Sequence, residues 1–427
     1  MADMTRREAA IGLAALGSLA AAGARGAQDR VRLGFIGVGN RGLQLLNSAL
    51  KLPDAEITAV CDVYRPYLDR ALERVGKTIP SYGDFRRLLE RRDVDAVVIA
   101  TPDHWHALQT IAACEAGKDV YVEKPLTITI REGRRMIETA RRTNRVVAVG
   151  LQRRSSTLYA DLGRAVRAGV IGKVTLAQAH RISNMWPNGI GRAPDGPPPP
   201  GLDWDMWLGP RPRRPFNANI APYKFRWWKA YSSQVGNWGV HYFDAIRWVL
   251  GESAPVSVSA HGGRYAVEDD RDIPDTMEAI FEFASGRLLT FGQYEASGVA
   301  ALRSGEVELR GTMGTIYVSS SGYEIVPDRP GQFQTWEPKV QASTIKGADG
   351  NLDDRHMANF VTCVRTRERP ACDVEDGHLS TVFAHLANIA LATRSRIEWD
   401  PTQERITNNR AANALLHYRY RAPWKLE

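Results

Sequence analysis

The chain has 427 residues, 44% of them hydrophobic and 24% charged, which is ordinary for a soluble globular protein and enough for two domains with their own cores. Its net charge of +8 is spread over arginine doublets such as Arg86-Arg87, Arg91-Arg92, Arg134-Arg135, Arg141-Arg142 and Arg153-Arg154, with no single basic run. Such a distribution fits solvated helix faces and argues against a nucleic-acid partner. The four cysteines form neither a CxxC pair nor a dense framework, so no zinc site or disulfide scaffold is expected.

Residues 1–27 read as an export signal. Thr5-Arg6-Arg7-Glu8 precedes the mildly apolar run Ile11–Ala20, and Ala22-Gly23-Ala24 supplies small residues for cleavage. This pattern resembles a twin-arginine signal and predicts a periplasmic, exported protein. Twin-arginine transport moves folded proteins, so a nucleotide-dependent enzyme sent this way would carry its cofactor along. No later stretch has 18 consecutive apolar residues, so no membrane span is expected in the mature chain.

Residues 28–151 read as a doubly wound α/β domain that binds a dinucleotide. Val31–Ile36 is a short apolar strand, followed by Gly37-Val38-Gly39-Asn40-Arg41-Gly42 and a helical leucine pattern. The first glycine permits the turn, the second lets backbone approach a pyrophosphate, and the third lets helix and strand pack closely. The turn residues Asn40 and Arg41 belong to the same cofactor-facing segment. Asp62 ends the next strand, twenty residues after Gly42, the spacing for a carboxylate on the adenosine ribose hydroxyls. It favours NAD over NADP, although Arg65 is close enough to blunt that preference. Further strands end at Thr101-Pro102-Asp103-His104-Trp105-His106 and at Glu123-Lys124-Pro125, with helices expected near 82–91, 107–116 and 130–143. Ligands sit outside the carboxyl ends of parallel strands, so Thr101, Pro102, Glu123 and Lys124 are expected at a bound ligand. His104 and His106 have no acidic or cysteine partners in the sequence nearby, so no metal is expected there.

Residues 152–427 read as a second domain. A strand at 174–183 leads into 184–235, a stretch with four consecutive prolines and the tryptophans 186, 204, 207, 227 and 228. Its prolines argue against regular structure and its aromatics against a solvated linker, so it should cover a binding cleft or a subunit contact. Gly236-Asn237-Trp238-Gly239-Val240-His241 then enters a helix. Strands near 256–262, 276–283, 287–294, 305–310 and 314–318 follow without helices between them, which implies a large, mainly antiparallel sheet.

The strand-GVGNRG start, Thr101-Pro102 with His106, Glu123-Lys124-Pro125 and the GNWGVHYFD segment together resemble the glucose–fructose oxidoreductase / inositol dehydrogenase / rhizopine-catabolism (Gfo/Idh/MocA) family. The resemblance implies a Rossmann domain, a second domain whose open sheet makes a dimer or tetramer, and a tightly held NAD (NADP possible). It implies cofactor contacts from Thr101, Pro102, His106 and Glu123, and a sugar-like substrate near Arg153 and Trp238. It also implies that Lys124 and His241 flank the reacting carbinol. The family aspartate four residues before the histidine is Asn237 here, and an amide can orient a hydroxyl but cannot take its proton. The expected reaction is hydride removal from a sugar carbon, with His241 taking the hydroxyl proton and Lys124 stabilising the oxygen. Hydrolysis through transient oxidation, elimination and re-reduction is the alternative. A non-catalytic sugar- or dinucleotide-binding role is a third class.

Overall fold

The computed structural model describes residues 30–303 and 306–426, so the expected signal segment lies outside the described residues. Strands β1 (Val31–Ile36), β2 (Ala55–Cys61), β3 (Ser81–Tyr82), β4 (Ala96–Ile99), β5 (Asp119–Val122) and β6 (Val147–Val149) form one sheet. They are all parallel, in the order 3-2-1-4-5-6. The central stretches of β4, β5 and β6 are apolar and buried because helices cover both faces, so alternation would leave polar groups buried. Register places Ile36 opposite Cys61 and Ile99, and Ile99 opposite Val122. The strands therefore end level, and the residues that follow them (Gly37, Asp62, Ala100 and Glu123) share one edge.

The helix expected over 82–91 is only Phe85–Leu89. Ser81 and Tyr82 instead extend the sheet by pairing with Val60 and Cys61, and Asp84 caps the short helix by accepting from the Arg86 amide.

The second sheet has ten strands. Between β7 (Val174–Ile182) and β10 (Ser257–Gly263) lie two short strands of a separate pair, β8 (Asp195–Gly196) and β9 (Phe216–Asn217). The sheet continues with β11 (Thr276–Glu282), β12 (Leu288–Tyr294), β13 (Val307–Gly311), β14 (Gly314–Ser319), β15 (Gly322–Pro327), β16 (Ser343–Lys346), β17 (Ile397–Asp400) and β18 (Arg405–Ile406). Its order is 16-15-14-13-7-12-11-10-17-18, and only β7 and β12 run parallel. On β11, Met277, Ala279 and Phe281 are buried while Ile280 is 46% exposed. That period of two marks a sheet with one covered face. The covered face packs on helices Val240–Leu250 and Val374–Thr393, where Phe243 lies 5.1 Å from Phe281 and from Phe291, and 5.5 Å from Phe383.

Two later segments return to the parallel sheet. Helix Leu352–Thr366 buries Met357, Phe360 and Val361 against Leu33, Phe35 and Tyr121. Trp424, near the carboxyl end, packs 4.8 Å from Trp105 and 6.4 Å from Phe85. Among the described residues, no helix is long and apolar enough to cross a membrane.

Candidate active site

The glycine turn is shaped by close approach. Gly37 has a left-handed φ of 83°, and a Cβ there would lie 2.7 Å from the Thr101 nitrogen. A Cβ on Gly42 would lie 2.0 Å from the Gly37 carbonyl oxygen, so the third glycine serves helix packing behind the turn rather than the cleft surface. The cleft above this edge is lined by Gly37, Gly39, Asn40, Arg41, Asp62, Thr101, Pro102, Glu123, Lys124, Asn237, Trp238 and His241. Asp62 accepts from the Val38 amide at 2.8 Å and the Tyr64 amide at 2.9 Å, which pins its carboxylate at the turn. Burial pushes its pKa up to about 6 against those two backbone donors. Arg65 is not among the residues lining the cleft and pairs with Asp69 at 2.7 Å.

His106 sits behind the cleft wall instead of on it. It is 1% exposed, and its ring nitrogens lie 2.8 Å from the Pro125 carbonyl and 2.9 Å from the Thr101 carbonyl. It therefore ties the Thr101 turn to the Glu123-Lys124-Pro125 turn. His104 is likewise buried, with Nε2 2.9 Å from the Trp207 carbonyl. Arg41 reaches the cleft, but its guanidinium is committed to carboxylates: Nε donates to Glu123 at 2.8 Å, and both terminal nitrogens donate to Asp353 at 2.8 Å. Glu123 is thus partnered by Arg41, and Lys124 is left free to turn elsewhere.

Lys124 turns toward the second domain. Its Nζ donates to Asn237 Oδ1 at 2.9 Å and to the Asn237 carbonyl at 3.0 Å. Burial lowers its pKa to about 8; Glu123 and Asp103 oppose that shift, and Arg226 and Arg41 add to it. Asn237 and His241 come from a π-helical turn, Val235–Gly239, that runs into helix Val240–Leu250. Such turns are common at functional sites because the inserted residue redirects side chains. No group among the described residues hydrogen-bonds the His241 ring. Burial and the cations Lys124, Arg153 and Arg41 hold its pKa well below the ordinary histidine range, so the ring is neutral.

A second chamber adjoins the first. Gln152, Trp238 and His241 line both, and Arg153, Tyr159, Glu306, Asp349 and Asp353 line only the second. Arg153 pairs with Glu306 at 3.3 Å and lies over the Tyr242 ring at 5.1 Å. Arg181 stacks 3.7 Å from the centre of the Trp238 ring.

The sequence leaves open whether the insertion 184–235 covers a cleft or a subunit contact, and the structure sets part of it on the cleft. It contributes Leu202, Met206, Trp207, Pro222, Tyr223, Phe225 and Arg226 to the first chamber. It has its own small core of Leu202, Trp207, Leu208, Ile220, Ala221, Phe225 and Tyr231. It is not wholly irregular, since Trp204–Leu208 is helical and β8 pairs with β9. The insertion is pinned to the first sheet's edge by Arg65 N to Gly201 O and Asp203 N to Val63 O, both 2.9 Å.

Three family models cover most of the chain: an oxidoreductase-family NAD-binding Rossmann fold over residues 31–151, a GFO/IDH/MocA C-terminal domain over 207–317, and an oxidoreductase-family C-terminal alpha/beta domain over 331–426. Among solved structures, levoglucosan dehydrogenase in complex with NADH and levoglucosan has a TM-score of 0.66 at 18% identity, covering 86% of this chain and 99% of that one. Scyllo-inositol dehydrogenase from Lactobacillus casei has a TM-score of 0.63 at 20% identity, covering 87% and 98%. These likenesses speak to the fold. A glycosyl hydrolase family 109 protein from Shewanella sp. (strain W3-18-1) is 39% identical over 165 residues, 37% of this chain and 36% of that protein. The chain thus matches little more than a third of the curated relative's length. With a parallel sheet, a glycine turn that fits NAD and a ten-stranded second sheet, the chain belongs to the Gfo/Idh/MocA family of NAD-binding oxidoreductases.

Proposed function

We propose that the protein is an NAD-dependent enzyme that removes hydride from a carbinol carbon of a sugar or sugar-like polyol held between Lys124 and His241. The observation that carries this reading is that both line the first chamber, His241 where it joins the second, although they lie far apart in the chain. Gly37, Gly39, Asp62 and Thr101 would hold the cofactor, and bound NAD supplies the hydride acceptor. The second chamber, with Arg153 and Trp238, offers a cation, carboxylates and an aromatic face, the groups that suit a polyhydroxylated ring.

The electrostatics change the roles expected from sequence. His241 faces three cations and lacks the carboxylate partner that Asn237 replaces, so it is a weak base. Lys124, with a pKa of about 8, gives up its proton within about a unit of neutral pH, and its neutral form is matched to accept one from a hydroxyl. In this reading Lys124 takes the proton, and neutral His241 hydrogen-bonds the same oxygen.

Hydrolysis by transient oxidation, elimination and re-reduction is the second reading, favoured by the family 109 relatives. Export through Arg6-Arg7 would suit either route, since the hydride must then return within one protein that keeps its cofactor. A second copy of the chain docking on the outward face of the large sheet is part of the proposal. The test is direct. Protein denatured in acid should release NAD, and a screen of free sugars with an added carbonyl acceptor should yield a keto sugar or lactone. Product release from a nitrophenyl glycoside without acceptor would move the assignment to the hydrolase. Release of neither nucleotide nor product would end the proposal.

A further inference from the structure

Asn237 is 8% exposed, Gln234 2% and Glu295 3%, and they form a line leading away from Lys124. Asn237 Nδ2 donates to Gln234 Oε1 at 3.1 Å, and Gln234 Nε2 donates to Glu295 Oε1 at 2.9 Å. The two ends of a primary amide have the same shape, so a network must decide which end faces which neighbour. Here the far end decides. Glu295 is surrounded by donors only: Gln234, the Trp227 indole at 3.1–3.2 Å, and the Arg271 guanidinium, which also donates to Asp269 at 2.9 Å. Burial and Asp269 raise the Glu295 pKa, but the buried Arg271 guanidinium paired with it opposes that shift and holds Glu295 as a carboxylate, which accepts. Gln234 must then show its nitrogen to Glu295 and its oxygen to Asn237, which leaves the Asn237 oxygen for Lys124.

We propose that Gln234 and Glu295 are positioning residues that fix the Asn237 amide with its oxygen toward Lys124, replacing by orientation the carboxylate this chain lacks at that place. The inference rests on the reading of Lys124 as a group of the active site. A hydrogen bond to a charged form favours that form, so the oriented oxygen sustains the ammonium against burial. The other charged or titratable groups facing Lys124 are Glu123 on its own turn, Asp103, Arg41, Arg226 and His241. None of them lies in the line from Asn237 to Glu295.

The test measures Lys124 directly. The purified protein, with whatever cofactor it retains, is treated with an amine acylating reagent across a pH series, and the Lys124 peptide is followed by mass spectrometry. Gln234→Met keeps the volume and removes both hydrogen bonds. Its labelling midpoint should fall by about one pH unit, with the acid limb of the pH–rate profile moving by the same amount. In an Asn237→Asp background, which offers an oxygen whichever way it turns, Gln234→Met should move the midpoint no further. If Gln234→Met fails to fold, Glu295→Gln keeps the shape, scrambles the direction of the chain and should shift the midpoint the same way. An unmoved midpoint in a folded variant overturns the inference. A shifted midpoint with an unmoved pH–rate limb would instead remove Lys124 from the chemistry and leave the relay standing.

Discussion

The two walls of the first chamber, the strand-end edge of the parallel sheet and the insertion 184–235, are held by different forces. The edge is fixed by backbone: level parallel strands, a glycine turn against the Thr101 amide, and an Asp62 carboxylate held by two amides. Its residues follow strands directly, so their positions are determined within a few residues of chain. The insertion meets that edge through backbone bonds at Gly201 and Asp203, but its own core is held by side chains against a distant floor. Trp105 Nε1 donates to the carbonyls of Met206 and Trp207 at 3.1 Å, and Trp207 packs 5.0 Å from Tyr231. A wall of the first kind suits precise chemistry, while a wall of the second kind suits enclosure and exchange of ligand.

The sharpest way to separate the two walls is to remove the proton acceptor from the first. Lys124→Met should lower turnover about a thousandfold, the scale of a lost general base with its electrostatic support. Bound NAD measured after denaturation should stay near the wild-type amount, because the lysine lies beside the turn that holds the nucleotide. Turnover close to wild type would take the chemistry away from this edge.

Breaking the second wall should do the reverse. Trp207 is 4% exposed in the insertion's own core, and Trp207→Ala should cost about 3–5 kcal/mol of stability by chemical denaturation. The variant should also release NAD during gel filtration, with turnover restored by excess NAD. Irreversible loss of turnover at saturating NAD would mean that the insertion shapes the reacting geometry as well as the enclosure.

That contrast also explains what the sequence discloses. GVGNRG, Asp62 and Glu123-Lys124-Pro125 are legible because each sits on a strand end, and strand ends in a parallel sheet have one address. His106 carried a cofactor expectation, yet its ring is spent on two carbonyls, a choice made by the Pro125 turn nineteen residues away. Arg41 lines the cleft as its place in the glycine turn implies, but no local pattern shows that Asp353, 312 residues on, holds its guanidinium. The insertion's tryptophans signal an ordered segment but carry no period that names its floor. The link from Asn237 to Glu295 crosses between the π-helical turn and the end of β12, so no local pattern contains it.

A change of pH tests the first wall more gently. Aspartate normally titrates near 3.8, and burial raises Asp62 to about 6. In the empty protein, the raised value adds stability that is present below pH 4 and lost as the pH rises through 6. Cofactor binding runs the other way, since the ionised carboxylate is the better acceptor for ribose hydroxyls. NAD affinity measured by calorimetry should therefore fall roughly tenfold between pH 7.5 and 5, and Asp62→Asn should remove that dependence.

The smallest effect belongs to a strap on the second wall. Arg421, close to the carboxyl end, donates through Nε to the Gly209 carbonyl and through Nη2 to the Asp205 carbonyl, each at 2.9 Å, and pairs with the Asp205 carboxylate. Its backbone amide also donates to the Pro210 carbonyl at 2.8 Å. The strap closes over the end of the helix Trp204–Leu208, whose Met206 and Trp207 line the chamber. Asp205 is 61% exposed, so the ion pair itself is screened and contributes at most about 1 kcal/mol. The two carbonyls lose a charged donor but can turn to water, which keeps the cost small. Arg421→Ala should leave the denaturation midpoint nearly unchanged and speed NAD release about threefold, measured by stopped-flow fluorescence of bound NADH. Equal release rates would place the hold on the insertion in its contacts with Trp105 and His104 and in its backbone bonds to Val63 and Arg65, and would make the second wall independent of the chain's end.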